Sequence, residues 1–171
     1  AESEIGEMRK GGGTLLFVGV DGALAGVIVL VDPIKPTTAA AIATGVKLAN
    51  PELDVWVATG DGDSISIGTG HWIHAIRYNM DLTMMLFDNE VYALTKKQTS
   101  PTSRWGMKTN THPGGAILPA HNPLTITLGI TNVSFVAQVV DWNPVLLHSV
   151  LEAAHDHQGL GLVRILQRCP Q

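Results

Sequence analysis

Val55-Trp56-Val57-Ala58-Thr59-Gly60-Asp61-Gly62-Asp63 is the stretch on which the fold turns. Residues 55–59 are a short apolar run with β-branched members, the composition of a buried strand. Two glycines and two aspartates end it abruptly. Upstream, residues 39–49 read as a helix that Thr37 and Thr38 can cap and Asn50-Pro51 closes. Downstream, residues 70–79 read as helix, with Trp72, Ile73 and Ile76 on one side, and residues 82–87 as a second buried strand ending at Asp88-Asn89. Further on, residues 133–140 read as strand, 144–157 as helix and 161–167 as a last strand. This alternation predicts an α/β fold, a mostly parallel sheet with helices on both faces. Residues 95–123 are rich in Thr, Ser, Pro, Gly and His and lack periodicity. A loop that long in a compact domain is usually functional or covered by a partner.

Towards the N-terminus, residues 1–13 are polar and then glycine-rich, with a short helix expected before the glycines. Apolar runs at 14–20 and 24–31 flank Asp21-Gly22, the pattern of a β-hairpin. Asp32-Pro33-Ile34-Lys35-Pro36 stops its second strand. The expected organisation is therefore an N-terminal hairpin segment, residues 1–38, and an α/β domain, residues 39–171.

The 171 residues are 45% apolar, which argues against disorder, and only 15% charged, which suggests that much of the surface is covered by partners. A net charge of −4 and a pI near 5.9 point to neither nucleic acid nor an anionic membrane. The longest apolar stretch, residues 23–31, is far short of the roughly 20 residues that a membrane span needs. The first ten residues are acidic and polar, unlike a signal peptide. Cys169 is the single cysteine, so no internal disulfide forms. The expected compartment is the cytoplasm.

Two strands thus end in oxygen-bearing residues, Gly60-Asp61-Gly62-Asp63 and Asp88-Asn89. In an open α/β sheet, ligands bind beyond the carboxyl ends of the strands. Magnesium takes six oxygens in a near-octahedral cage and commonly shares them with phosphates. Asp61 offers a carboxylate, Asn89 an amide oxygen and Val91 a backbone carbonyl. Gly60 and Gly62 let the backbone approach a diphosphate closely. The plainer alternative is two strand-to-helix turns with capping aspartates.

The segment from Gly60 to Gly68, with His71-Trp72-Ile73-His74 and Arg77-Tyr78-Asn79, resembles the thiamine-diphosphate motif of the β subunits of 2-oxoacid:ferredoxin oxidoreductases. So do Leu86-Phe87-Asp88-Asn89-Glu90-Val91-Tyr92, the run from Leu94 to Ser103, residues 41–51, Asn122-Pro123-Leu124 and the ending from Val163 to Pro170. Asp61 and Asn89 stand 28 positions apart, as the motif requires. The resemblance implies the diphosphate-binding half of a thiamine-diphosphate-binding fold. It implies Mg²⁺ on Asp61, Asn89 and the Val91 carbonyl, with Gly60, Gly62 and Asp63 beside the diphosphate and Ile67 and Thr95 in the cofactor pocket. It further implies oxidative decarboxylation of a 2-oxoacid to an acyl-CoA. Coenzyme A and ferredoxin would be the acceptors, and an α subunit or partner domain would supply the aminopyrimidine site. A homo-oligomer stays open.

Departures from the family pattern accompany these matches. The family's earlier cysteines are missing, so Cys169 stands alone as a possible ligand of an iron–sulfur cluster that needs four. Such a cluster belongs to a complete family member, and the chain is expected to be inactive alone. Ala93 and Lys97 stand where glycines are expected, and Gly70 replaces an amide next to His71. Residues 13–35 resemble instead the strand pair before the Asp-Pro-Ile-Lys hinge of heavy-metal P-type ATPases, although the ATPase phosphorylation motif is absent. That suggests a chimera. The alternatives are a chimeric or designed scaffold without activity and an ATPase-derived Mg²⁺- or nucleotide-binding fragment. His71 and His74 could ligate zinc, but no third ligand is evident. His155, Asp156 and His157 are expected on a solvated helix end.

Overall fold

A computed structural model describes residues 14–20, 23–30 and 38–168. In chain order the elements are β1 (Thr14–Val20), β2 (Ala23–Leu30), α1 (Thr38–Ala49), β3 (Trp56–Gly60), a π-helical turn (Asp63–Ile67), α2 (Thr69–Tyr78) and β4 (Leu82–Asp88). Two very short strands follow, β5 (Val91–Tyr92) and β6 (Gln98–Thr99), then α3 (Pro123–Leu128), β7 (Phe135–Val140), α4 (Pro144–His155) and β8 (Leu160–Leu166). The chain divides into two units, Ala1–Lys35 and Pro36–Gln171. In the first, β1 and β2 pair antiparallel, with Thr14 opposite Leu30 and an irregularity between Val18 and Gly19. The Asp21-Gly22 turn, the 32–35 hinge, the helix expected near the N-terminus and Cys169 lie outside the described residues.

In the second unit β3, β4, β8 and β7 lie side by side in that order, and every neighbouring pair is parallel. The alternation of side chains along these strands sorts the core into two layers. Val57, Leu82, Met84, Leu86, Leu160 and Leu162 share one cluster with Trp72, Ala75 and Ile76 of α2 and Ala43 of α1. On the opposite face Val139, Val163 and Ile165 pack with Ala154 of α4, and Met85, Phe87 and Leu151 lean on them. Each fully buried leucine or isoleucine contributes roughly 1.5–3 kcal/mol. The expected parallel sheet with flanking helices is thus what the chain forms. Near-continuous burial along β4 and β8 is the mark of strands covered on both sides.

The differences have local causes. Strand β4 is followed not by β8 but by the long loop, α3 and the edge strand β7, and β8 returns between them. α3 is a six-residue helix that starts where the expected 95–123 loop ends and that the sequence reading did not assign; Asn122 caps it, its Oδ1 accepting from the Leu124 and Thr125 amides. The π-helical turn closes through the Gly68 N–H donating to the Asp63 carbonyl at 2.7 Å. A Cβ on Gly68 would lie 2.4 Å from that carbonyl oxygen, so only glycine closes the turn. His155 and His157 are not simply solvated. His155 stacks on Trp56 with ring centroids 5.2 Å apart, and the His157 ring lies beside Phe135 and bonds Ser134. No helix among the described residues is long and apolar enough to cross a membrane.

The end of α2 joins the far side of the sheet through one residue. Asn79 is left-handed, φ 48° and ψ 42°. Its Oδ1 accepts from the Leu160 N–H and from Ser134 Oγ, both at 2.8 Å. Replacing Asn79 by Ala adds a left-handed cost of about 1–2 kcal/mol to the loss of the Leu160 partner, about 1–3 kcal/mol. Asn79→Gly should recover only the backbone part. Urea denaturation of the parent and the two variants separates the contributions, and an Asn79→Gly midpoint equal to the parent's would show that the side-chain bonds carry nothing.

Candidate functional site

At the carboxyl end of β3 the strand turns directly into helix. Asp61 and Gly62 are already helical, with Gly62 at φ −63° and ψ −42°. The first N–H groups of such a helix have no intrahelical partner and suit an anion. Gly62 is wedged beneath Tyr92. A Cβ there would fall 2.2 Å from the Tyr92 ring, and the Tyr92 hydroxyl donates to the Gly62 carbonyl at 2.9 Å. The ring therefore fixes the glycine turn from the loop side.

Asp61 is 2% exposed. Its Oδ2 lies 2.6 Å from Thr102 Oγ1, which is also 2.8 Å from Asp88 Oδ1. Asp88, 1% exposed, is saturated. Its Oδ1 also accepts from the Glu90 N–H at 3.1 Å, and its Oδ2 accepts from Arg164 Nε at 2.8 Å and Nη2 at 2.5 Å. Asp61 has hydroxyl neighbours and no cationic partner among the described residues. Burial pushes its carboxyl above the usual 3.8, against the opposing hydrogen bonds of Ser100 and Thr102. Burial likewise raises Asp63.

A hydroxyl has one hydrogen, so Thr102 cannot donate to two ionised carboxylates at once. The arrangement balances when Asp61 is protonated or when a cation sits against it. Burying an unpaired carboxylate is expensive.

The second strand end supplies the other expected oxygens. Asn89 Oδ1 accepts from the Val91 N–H at 3.1 Å, closing a turn around Glu90, whose φ is 63°. An amide oxygen has two lone pairs, so one remains open for a ligand. Ser103 Oγ donates to the Glu90 carbonyl and Arg104 pairs with Glu90, binding this turn to the 100–104 loop. Ile67 stands on the π-helical turn and is largely exposed. Thr95 hydrogen-bonds Gln98 within its own exposed turn, with no contact to Asp61. A cavity of about 260 Å³ opens beside these groups, lined by Ile65, Ser66, Ser100, Ser103, His112 and Ile117 among others.

Sequence reasoning named Asp61, Asn89 and the glycines but gave no role to Thr102, Ser100, Tyr92 or Arg164, which the structure brings to the same strand ends. Thr102 and Ser100 lie in a hydroxyl-rich loop where no periodicity marks one serine or threonine from the next. For Arg164 the one available signal was a cation inside an otherwise apolar strand. The glycine expectations divide in two. Lys97 has φ 60° and Lys96 φ 80°, so a glycine at 97 would be unstrained, whereas Ala93 has no positive φ. His71 and His74 are exposed on α2, and no group of three or more metal-ligating residues forms among the described residues.

Residues 37–165 match the family described as thiamine pyrophosphate enzyme, C-terminal TPP binding domain. The chain is 48% identical over 132 residues to the 2-oxoglutarate oxidoreductase subunit KorB of Mycobacterium tuberculosis, covering 77% of this chain and 35% of that one. It is 41% identical to the 2-oxoacid:ferredoxin oxidoreductase subunit beta of Saccharolobus solfataricus, over 75% of this chain and 42% of that one. Among solved structures, the 2-oxoglutarate:ferredoxin oxidoreductase from Magnetococcus marinus, with 2-oxoglutarate, coenzyme A and succinyl-CoA bound, superposes with a TM-score of 0.76 at 42% identity. That match covers 78% of this chain and 46% of that one. The chain thus spans less than half the length of each of these relatives. None of these matches supports the P-type ATPase resemblance of the first 38 residues or a chimera.

Two outcomes test this geometry. Because the Asp61 carboxyl is raised in the folded state, its contribution to stability is full below about pH 4 and is lost as pH rises through the folded value. In cation-free buffer Asp61→Asn should therefore be more stable than the parent by about 1–3 kcal/mol at pH 7.5, with the difference closing near pH 4. A pH-independent difference would mean that Asp61 is not a desolvated carboxylate. Separately, Lys97→Gly should stabilise by about 0.5 kcal/mol, since about 1–2 kcal/mol of relieved strain exceeds the roughly 0.5–1 kcal/mol entropy of glycine. Ala93→Gly should destabilise by that entropy term, and melting curves of the two variants compare them.

Proposed function

The chain belongs to the thiamine pyrophosphate enzymes through its C-terminal TPP-binding domain, and on that premise we propose that it binds thiamine diphosphate through Mg²⁺ as part of a 2-oxoacid:ferredoxin oxidoreductase β subunit. The observation that carries this reading is the buried Asp61 carboxylate. It lies at the mouth of a helix, between two glycines, without a cationic partner among the described residues. We assign Asp61, the Asn89 amide oxygen and the Val91 carbonyl as the protein's ligands to Mg²⁺. Gly60, Gly62 and Asp63 would border the diphosphate, with Ile67 and Thr95 further out in the pocket.

Thiamine diphosphate, when bound, supplies the electron sink for decarboxylating a 2-oxoacid. This chain's share is binding and orientation. The N–H groups at the start of the helix would receive the anion, Tyr92 holds the glycine turn, and Thr102, itself against Asp88, keeps Asp61 in place. The names of the Mycobacterium and Magnetococcus proteins make 2-oxoglutarate the proposed 2-oxoacid, with ferredoxin and coenzyme A as acceptors. Cys169 is proposed as one ligand of an iron–sulfur cluster. A four-iron cluster takes four ligands, so the others must come from elsewhere in the assembly.

The aminopyrimidine ring would be received by an α subunit or partner domain. Supporting this, Leu94 is 98% exposed and Leu118 73%, with Trp105 and Ile117 also open to solvent on the loop beside the site. Clustered exposed apolar side chains mark interaction surfaces.

A ligand of the native state stabilises it by mass action, about 2.7 kcal/mol at a hundredfold excess over Kd. Thiamine diphosphate with Mg²⁺ should therefore raise the melting temperature of the chain, and ATP with Mg²⁺ should not. Asp61→Ala should remove that increment while leaving the circular dichroism spectrum unchanged. A rise with ATP equal to that with thiamine diphosphate would count against the assignment.

A further inference from the structure

Beyond the residues that would touch the cofactor, a chain of contacts leads from Asp61 to the far strands of the sheet. Thr102 Oγ1 lies 2.6 Å from Asp61 Oδ2 and 2.8 Å from Asp88 Oδ1. Arg164 grips Asp88 Oδ2 through Nε and Nη2, and its Nη1 donates to Gln138 Oε1 at 3.0 Å. The sheet register explains why these groups meet. Arg164 on β8 stands opposite Leu86 of β4 and Gln138 of β7, and Asp88 stands one step along from it, opposite Leu166. Asp88 and Arg164 continue the rows of Leu82, Met84, Leu86 and of Leu160, Leu162, which fill the core beneath α2. A charged pair therefore closes an apolar row where the strands end, and both members are shielded, with side-chain exposures of 0% and 15%.

We propose that Arg164 is a positioning residue for the cation site. It acts through Asp88 and Thr102 on Asp61 and touches neither cation nor cofactor itself. Two guanidinium N–H groups converge on the single oxygen Oδ2 of Asp88 and hold it from two directions, which one ammonium does not reproduce. Asp88 in turn fixes the Thr102 hydroxyl, and that hydroxyl sets where Asp61 Oδ2 lies. With the Glu90 amide the fork also satisfies Asp88 by three N–H donors, which leaves the single Thr102 hydrogen for Asp61 and offers one carboxylate rather than two to the ion. The inference rests on the thiamine-diphosphate reading above.

Metal selectivity separates positioning from a merely structural role. Mg²⁺ demands near-ideal octahedral geometry at about 2.0–2.1 Å, while Ca²⁺ accepts longer and irregular contacts at about 2.3–2.6 Å. Loosening Asp61 should therefore hurt Mg²⁺ more than Ca²⁺. The experiment is calorimetric titration of the full chain with thiamine diphosphate, in Mg²⁺ and separately in Ca²⁺, for the parent, Arg164→Gln, Arg164→Lys, Thr102→Val and the Arg164→Gln/Thr102→Val double variant.

In Arg164→Gln the Mg²⁺-supported affinity should fall about tenfold or more and the Ca²⁺-supported affinity less than about threefold. Arg164→Lys should recover only part of the loss. Thr102→Val leaves the Arg164–Asp88 pair intact and should reproduce the change in the Mg²⁺ to Ca²⁺ ratio, even if Arg164→Gln fails to fold. The double variant should lose no more than the worse single one, because the two residues act in series. An unchanged metal ratio in Thr102→Val and Arg164→Lys, or additive losses in the double variant, overturns the proposal alone. No binding by the parent chain in either metal overturns it together with the cofactor reading.

Discussion

Two buried carboxylates that share one threonine hydroxyl, with a single guanidinium on one of them, set the terms for the rest of the site. Asp88 is neutralised by Arg164 and surrounded by donors; Asp61 is left with hydroxyls. Desolvation makes an unpaired ionised carboxylate costly, so Asp61 takes up a proton or a cation. The asymmetry between two chemically identical side chains comes entirely from their surroundings. One serves the sheet and the other faces the open end of the helix.

The parallel sheet makes that asymmetry possible. Its strands all point the same way, so the ends of β3 and β4 bring Asp61 and Asp88 to one rim. The layers beneath are apolar and well covered, and they hold the rim in register. The 91–104 loop folds over the rim, bringing Tyr92 onto Gly62 and Thr102 between the aspartates. Glu90, Lys96 and Lys97 adopt left-handed conformations in and beside it. Non-glycine residues hold such angles only where the surroundings compel them; here Ser103 and Arg104 hold Glu90, and Asn110 holds the carbonyls of Lys96 and Lys97.

The relatives are much longer than this chain, and its surface agrees with a part that meets other parts. Its charged fraction is low, and large apolar side chains such as Leu94, Trp105 and Leu118 stand open near the site. On the other side of the sheet Trp56, Trp142, Val145 and Leu146 are also exposed, and the Arg168 guanidinium lies 4.4 Å from the centre of the Trp142 ring. These positions are where partner subunits would be expected to seat under the proposed function.

The sequence by itself determined the strands of the main sheet, the longer helices and the class of sheet, because apolar periodicity and breaker residues act over a few positions; the two-residue β5 and β6 and the six-residue α3 are too short to carry a period. It also pointed to Asp61, Asn89 and the glycines, since strand ends are where such residues collect. Only the tertiary structure decided that β8 lies between β4 and β7, that Tyr92 seats Gly62, and that Thr102 and Arg164 complete the carboxylate pair. Thr102 is 41 positions from Asp61, and Arg164 is 76 from Asp88. Contacts across such separations follow no repeat and alter no local propensity. They exist because the sheet register sets strand against strand, and that register is settled by packing of the whole domain.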